Sequence, residues 1–271
     1  MDLTELVRLS LQEDVGPGDV TTLATVPREA TGTARIYAKE PLVVSGQEAA
    51  AEVFRQVGCR YEVVTADGAP AGGTHPDTVA RVTGPARALL TGERCALNFL
   101  MRLSGIATHV RDVVSAAPAL VLVDTRKTTP LHRALEKAAV RHGGARNHRF
   151  GLFDGVLIKD NHVVAAGGIA AAVARARAQA HALLRVEVEV ETLDELRQAL
   201  EAGADDVLLD NMDDDTLREA VTINAGRARL EVSGGLSRSR LPVLATLGIH
   251  RASMGGLVHQ ARWVDLSMRI Q

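Results

Sequence analysis

Cysteine is almost missing from this chain: Cys59 and Cys95 are the only two. A disulfide framework is therefore excluded, and a reducing, cytoplasmic setting is expected, with both thiols read as small buried apolar groups. Aromatic residues are nearly as scarce at 3%, so the core must be built from Ala, Val and Leu. No apolar run approaches the ~20 residues that a membrane span requires. The first segment, to Asp14, lacks a basic leader-like start, and Asp2 with Glu5 has the spacing of a helix capping box. Lysine is rare too. Of 31 basic residues only Lys39, Lys127, Lys137 and Lys159 are lysine. In so arginine-rich a background, a retained lysine marks a place that needs a compact ammonium or a tunable pKa. Lys127 and Lys159 both stand just past short apolar runs.

What is present is a local excess of positive charge. Between Asp124 and His162 there are eight Lys and Arg against four acids, in a chain whose formal net charge is −2. A focus of this kind suits a small, multiply charged anion. A nucleic-acid surface would need basic charge spread over a whole face.

The chain of 271 residues changes rhythm part-way along. Residues up to about 100 mix elements. An opening helix is followed by a turn-rich loop, Glu13 to Val20. Short strands are expected over Thr33–Ala38, Leu42–Val44, Tyr61–Thr65 and Val79–Val82, with a helix from Gln47 to Val57 and a Gly/Pro loop from Gly68 to Pro76. This is an α+β layout with antiparallel pairing. A helix over Leu89–Leu103 carries Arg94 and is expected to stop at Ser104-Gly105.

Beyond it, apolar runs alternate with helical segments: Leu120–Val123, Gly155–Ile158, Val186–Val190, Val207–Leu209, Leu230–Val232 and Ala252–Met254. The later ones restart about every 20 residues, one βα unit each, which predicts a doubly wound sheet or a barrel. About 150 residues are too few for eight full units, so an incomplete α/β barrel is expected.

Each run ends in polar, charged or glycine residues, and in a βα barrel those ends share one face. They bring Arg126, Lys127, Arg149 and Lys159 as cations. Glu189 and Asp210 add carboxylates able to meet sugar hydroxyls or a Mg²⁺ carried by a phosphate substrate. Ser233, Gly234 and Gly235, and Gly255 with Gly256, offer backbone N–H groups to a phosphate. The set asks for a phosphorylated sugar with Mg²⁺ and a second, strongly anionic ligand. Plainer readings exist. Glu187, Glu189 and Glu191 could all be solvated on a half-exposed strand, a Gly-Gly after a strand can be an ordinary turn, and Asp213 to Asp215 read as a helix cap. Arg175 and Arg177 read as a solvated face. His132, His142 and His148 match no common zinc spacing, and His75 reads as a loop residue.

The ordered motifs also carry a resemblance. Glu13 to Thr22, Glu93-Arg94 with Ala96 to Phe99, Leu103 to Thr108, Asp124 to Pro130, Asn147-His148-Arg149, Lys159 to His162, Glu187 to Glu189, Leu209 to Asn211 and Ser233 to Gly235 run nearly end to end. In that order the chain resembles the type II phosphoribosyltransferases, most closely the quinolinate phosphoribosyltransferase family.

The resemblance implies an N-terminal α/β sandwich (1–105), a C-terminal α/β barrel (106–260) and a terminal segment (261–271) returning to the first domain. It implies a homodimer with shared active sites, or a higher oligomer built on it, with no nucleic-acid or membrane partner. The implied substrates are quinolinate and phosphoribosyl pyrophosphate, with Mg²⁺, and the implied products are nicotinate mononucleotide, pyrophosphate and CO₂. The dicarboxylate set would fall on Arg94 (reaching in from the partner), Arg126, Lys127, His148, Arg149 and Lys159. Glu189 and Asp210 would meet phosphoribosyl pyrophosphate and Mg²⁺, and Lys127, Lys159, Glu189 and Asp210 would carry the chemistry. Ser233, Gly234, Gly235, Gly255 and Gly256 would hold the 5′-phosphate. The alternative is a relative of the same fold acting on another anionic acceptor. Three places depart from the family pattern. Leu131-His132 follows Thr-Thr-Pro where the family usually has Gly, His142 stands where it often has Cys, and the late Ser-Val-Gly segment is Ser253-Met254-Gly255 here.

Overall fold

The computed structural model describes residues 2–73 and 77–271, so His75 and the end of the Gly/Pro loop lie outside the described residues. In chain order the elements begin with α1 (Leu3–Val15), α2 (Val20–Thr25), β1 (Thr31–Ala38), β2 (Leu42–Val43), α3 (Gln47–Gln56), β3 (Arg60–Val63), β4 (Pro70–Ala71), β5 (Thr78–Pro85) and α4 (Ala86–Ser115). Then come β6 (Val121–Val123), α5 (Arg133–Gly143), β7 (Val156–Ile158), α6 (Asp160–Ala166), α7 (Ile169–Gln179), β8 (Val186–Val190), α8 (Leu193–Glu201) and β9 (Asp206–Asp210). The chain finishes with α9 (Asp214–Asn224), β10 (Arg229–Ser233), α10 (Leu241–Leu244), β11 (Arg251–Ser253), α11 (Gly256–His259) and β12 (Leu266–Ile270).

These elements form two compact units. One comprises Met1–Arg111, Thr128–Gly144 and Leu257–Gln271; the other comprises Asp112–Lys127 and Ala145–Gly256.

The first unit holds an antiparallel sheet in the order β12-β1-β5-β3. Strict alternation along β1 turns Ala34, Ile36 and Ala38 inward, and β5 adds Val79, Ala80 and Val82. They share one aliphatic core with Val53 and Phe54 of α3 and Leu6 and Val7 of α1. Asp2 caps α1 by accepting the Glu5 N–H at 2.8 Å. The last strand returns to this sheet, with Ile36 opposite Met268. Cys59 and Cys95 are both buried free thiols.

One sequence expectation fails here. Helix α4 does not stop at Ser104-Gly105 but runs on to Ser115. Both residues serve packing instead. The Ser104 hydroxyl accepts the Ser45 N–H at 2.9 Å and donates to the Ser45 carbonyl at 3.1 Å. A Cβ on Gly105 would lie 2.1 Å from the Arg262 carbonyl oxygen, so only glycine allows that approach. Two of the departures from the family pattern lie in this unit. Leu131 keeps a left-handed backbone, φ 68°, in the turn after Thr-Thr-Pro. The His142 Nδ1 lies 2.9 Å from the Ser45 hydroxyl.

The second unit is a parallel sheet in the order β6-β11-β10-β9-β8-β7, with a helix following most strands. This is an incomplete α/β barrel: β6 and β7 end the row, and β6, paired to β11 on one edge, carries an isolated bridge from Val123 to Arg146. All six strands fall on the apolar runs read from the sequence. Val186, Val188 and Val190 are buried, as are Leu196 of α8, Leu217 of α9, and Val207 and Leu209 of β9. Helices α7, α8 and α9 pack in sequence order. Thr192 and Glu195 cap α8 reciprocally, and Asp213 caps α9 by accepting the Thr216 N–H.

Candidate active site

Parallel pairing puts the C-terminal ends of all six strands on one side, because every strand of such a sheet runs the same way. At the end of β6, Asp124 is fully buried and accepts the Asn147 amide at 2.6 Å and the His148 N–H at 2.9 Å. The Asn147-His148-Arg149 turn is thereby tied to the strand that delivers Arg126 and Lys127. On its far side, Asp154 accepts the N–H groups of Phe150 and Gly151, and the Arg149 guanidinium donates to the Gly155 carbonyl at 3.0 Å. Arg126 and Lys127 are exposed. Burial, and then the neighbouring charge of Arg126, hold the Arg149 guanidinium below its ordinary pKa. A guanidinium whose charge is disfavoured by a like neighbour is one that a nearby anion relieves.

Past β7, the Lys159 ammonium forms an ion pair with Glu189 at the end of β8. The Lys159 N–H donates to His162 Nδ1 at 3.0 Å, which sets the first turn of α6. Next along the sheet, Asp210 ends β9 and accepts the Asn211 amide at 2.6 Å. Asn211 takes a left-handed backbone, φ 55°, and its N–H donates to Ser233, the last residue of β10. Gly234 and Gly235 follow with φ 90° and 55°. A Cβ on Gly234 would meet the Asn211 side chain at 2.2 Å. With no side chain on either glycine, a ligand can approach the backbone N–H groups of this turn closely. Gly255 and Gly256 occupy the corresponding turn between β11 and α11.

The barrel strands thus place Arg126, Lys127, His148, Arg149, Lys159, Glu189, Asp210, Ser233, Gly234, Gly235, Gly255 and Gly256 on one unit, at its strand ends. Arg94 belongs to the other unit, exposed on α4.

The strand β8 corrects the reading in which all three of its glutamates are solvated. Its valines face the helices, so its glutamates face the barrel interior. Glu187 is buried, Glu189 half-buried, and only Glu191 is exposed. Sequence reasoning also missed a charged layer deeper in the barrel. Arg251 donates from Nη2 to Glu187 at 2.8 Å and from Nε to Glu231, which is fully buried. His148 Nε2 lies 3.1 Å from Glu187 and 3.6 Å from Glu231. The signal was an acid within an apolar strand, Leu230-Glu231-Val232, where burial of the flanking residues forces the acid into the lumen.

Burial opposes a charged His148, but the hydrogen bonds and negative charges of Glu187 and Glu231 outweigh it and lift the imidazole to about 9. Against this, Nδ1 accepts the Arg149 N–H at 2.8 Å, which requires that nitrogen to be unprotonated. The tautomer with its proton on Nε2 satisfies both sides, and a second proton would displace the Arg149 N–H. Burial likewise opposes ionisation of Glu231, yet His148 and Arg251 hold its carboxyl down to about 2. His148, Glu187 and Glu231 have the donor types of a metal site. Here, however, the Nε2 proton and the Arg251 guanidinium already take the places where a cation would bind.

Comparison with known proteins agrees with this geometry. Residues 19–104 match the N-terminal domain of quinolinate phosphoribosyl transferase and residues 106–269 match its C-terminal domain. The chain belongs to the quinolinate phosphoribosyltransferase family. Like the rest of that family, it is a phosphoribosyltransferase. It is 38% identical to the probable carboxylating nicotinate-nucleotide pyrophosphorylase of Bacillus subtilis, over 100% of this chain and 94% of that one. It is also 38% identical to the chloroplastic carboxylating enzyme of Oryza sativa, over 99% of this chain and 78% of that one. The solved nicotinate-nucleotide pyrophosphorylase of Francisella tularensis superposes with a TM-score of 0.93 at 39% identity, covering 99% of this chain and 96% of that one. That of Ehrlichia chaffeensis gives 0.93 at 33% identity, covering 100% and 99%.

Proposed function

We propose that the chain transfers phosphoribosyl from phosphoribosyl pyrophosphate to quinolinate with decarboxylation, giving nicotinate mononucleotide, pyrophosphate and CO₂, a step of de novo NAD biosynthesis. The observation that carries this reading is the row of cations at the barrel strand ends, with Lys159 paired to Glu189 and Asp210 on the next strand.

Arg126, Lys127 and Arg149 bind the two ring carboxylates, Arg through its planar fork and Lys as a point charge. His148 borders the same pocket. The pyridine nitrogen attacks C1 of the ribose as the C1–O bond to pyrophosphate breaks. Lys159 and Lys127 stabilise the charge that develops on the departing oxygens. The alkylated nitrogen is then cationic. When the neighbouring carboxylate leaves as CO₂, its bonding pair stays on the ring carbon beside that cation and is quenched by a proton. Glu189 and Asp210 hold the ribose hydroxyls, and Ser233, Gly234, Gly235, Gly255 and Gly256 receive the 5′-phosphate. Two partly exposed carboxylates on adjacent strands also fit a hard cation, which binds such sites through one or two carboxylates plus substrate phosphates. Mg²⁺ bound there would neutralise pyrophosphate.

The assembly in this reading is a cytoplasmic homodimer in which Arg94 completes the partner's pocket. Two reduced, buried cysteines support the compartment, and among the described residues no helix is long and apolar enough to cross a membrane. The test is to incubate the protein with quinolinate, phosphoribosyl pyrophosphate and Mg²⁺ and follow nicotinate mononucleotide and CO₂. Product that requires all three, and is lost on chelation, supports the reading. No product from a folded protein that still binds phosphoribosyl pyrophosphate sinks quinolinate as the acceptor. Mixing Arg94→Ala with Lys159→Ala subunits should restore activity that neither has alone, and failure to do so would remove the shared site.

A further inference from the structure

A continuous ladder of charges runs from exposed arginines at the strand starts to buried groups inside the barrel. At the strand starts, Arg185 and Arg229 donate to Asp206 at 2.5 and 2.9 Å. Asp206 lies 3.4 Å from Arg251, which in turn grips Glu187 and Glu231. Those two carboxylates flank His148 Nε2, and His148 Nδ1 takes the Arg149 N–H. Its carboxylates and Arg251 come from four neighbouring strands, β8 to β11, and the ladder ends on the backbone of a residue in the cationic pocket. Stability alone does not call for this arrangement, because replacing buried ion pairs by packed aliphatic residues is commonly neutral or stabilising. Alternating charges do supply direction. An imidazole held by two carboxylates on one edge cannot rotate, so its other edge offers a fixed acceptor.

We propose that Arg251, Glu187 and Glu231 are positioning residues for quinolinate. They lock the His148 imidazole by Nε2 so that Nδ1 fixes the Arg149 backbone, and with it the direction of the guanidinium that meets a substrate carboxylate. The inference rests on Arg149 belonging to the quinolinate pocket. It gives His148 a part besides contact with substrate, since both of its ring nitrogens are engaged within the protein. Asp124 holds the same turn from the other side through the His148 N–H, so loss of the ladder should loosen the guanidinium without unfolding the loop.

The experiment compares Arg149→Ala, Glu187→Ala, Glu187→Gln, Arg251→Met and Arg251→Lys in the full chain, measuring kcat, KM for each substrate and thermal midpoint. Glu187→Ala and Arg251→Met are expected to raise the quinolinate KM about tenfold or more, as misplacing a binding group does, while the KM for phosphoribosyl pyrophosphate stays within about twofold. Glu187→Gln, which keeps an oxygen facing Nε2–H, should recover most of the loss. If both KM values rise together, or the midpoint falls with kinetics unchanged, the ladder is structural only and the inference is overturned. Should Glu187→Ala or Arg251→Met fail to fold, Arg251→Lys, which loses the fork that grips both carboxylates, carries the same comparison and should raise the quinolinate KM alone. An Arg149→Ala variant with normal quinolinate KM would overturn the pocket assignment itself. Normal kinetics in the ladder variants, beside an impaired Arg149→Ala, would overturn the positioning role alone.

Discussion

The two sheets of this molecule bury opposite things. The antiparallel sheet of the first unit turns Ala34, Ile36, Ala38, Val79, Ala80 and Val82 into an aliphatic core. The parallel sheet of the second turns Val188, Val207, Leu209 and Val232 to one face and keeps Glu187, Glu231 and Asp206 with Arg251 on the other, inside. A half-covered antiparallel sheet has one dry face to fill, whereas a curled parallel sheet has a helix-covered outside and a lumen as well. The difference teaches where chemistry can be built. The lumen opens at the strand ends, so charges stacked within it can reach the reacting groups. A charge within the aliphatic core would have no such outlet.

Substitutions on the two sides should therefore fail in different ways. The largest effect is expected from Lys159→Ala, which removes a charged donor at the barrel mouth. Its kcat should fall about 10²–10³-fold, the cost of losing one transition-state donor, with the unfolding curve little changed. Steady-state turnover and a urea titration check both halves, and near-wild-type turnover would end the assignment. Glu231→Ala comes next and inverts the pattern. It leaves Arg251 and His148 short of a counter-charge in the lumen and should cost about 3–5 kcal/mol of stability, read as a lower urea midpoint. By contrast, Ile36→Val in the aliphatic core should cost about 1 kcal/mol, with activity retained.

Acid sharpens the contrast. The Glu231 carboxyl is held at about 2 against an ordinary 4.5. A depressed folded value means that its stabilisation is complete above pH 4.5 and is lost as pH falls from there towards 2. Thermal midpoints taken between pH 5 and 2 should drop steeply, and Glu231→Gln should flatten that drop. An unchanged slope in the variant would show that other carboxylates govern acid unfolding. The smallest effect belongs to Leu131→Gly. With φ 68° the leucine sits in a region that costs an L-residue about 1–2 kcal/mol. Relief of strain, less the added freedom of glycine in the unfolded chain, should stabilise by at most about 1 kcal/mol. A destabilised variant would mean that the exposed leucine makes contacts worth more than its strain.

Much of this was legible in the residues. The six barrel strands stand where apolar runs broke at polar ends, because a strand buried on one side by helices must read as a run and must stop where the chain turns to solvent. The cations Arg126, Lys127, Arg149 and Lys159 were visible for the same reason, each just past a run or in the turn beside one. Three features were not legible. Helix α4 continues through Ser104-Gly105 because those residues meet Ser45 and Arg262, and no local pattern reveals a contact with a residue far along the chain. The glutamates of β8 looked like simple alternation, since period two is the same whether the polar face meets water or a lumen. Arg251 and Asp206 stand just outside the apolar runs, where nothing local separates a charge that turns into the lumen from one that turns to solvent.

The sequence by itself determined the order of elements, the parallel and antiparallel halves, the family and the placement of cations at the barrel strand ends. These follow from periodicity, from charge placed at element ends and from motifs in a fixed order, all local properties of a chain. Only the tertiary structure decided which charges are buried together, that His148 turns one nitrogen to Glu187 and the other to Arg149, and that Lys159 pairs with Glu189 across a strand gap. Those outcomes depend on strands distant in sequence curling around a common lumen, where low polarity strengthens every pairing.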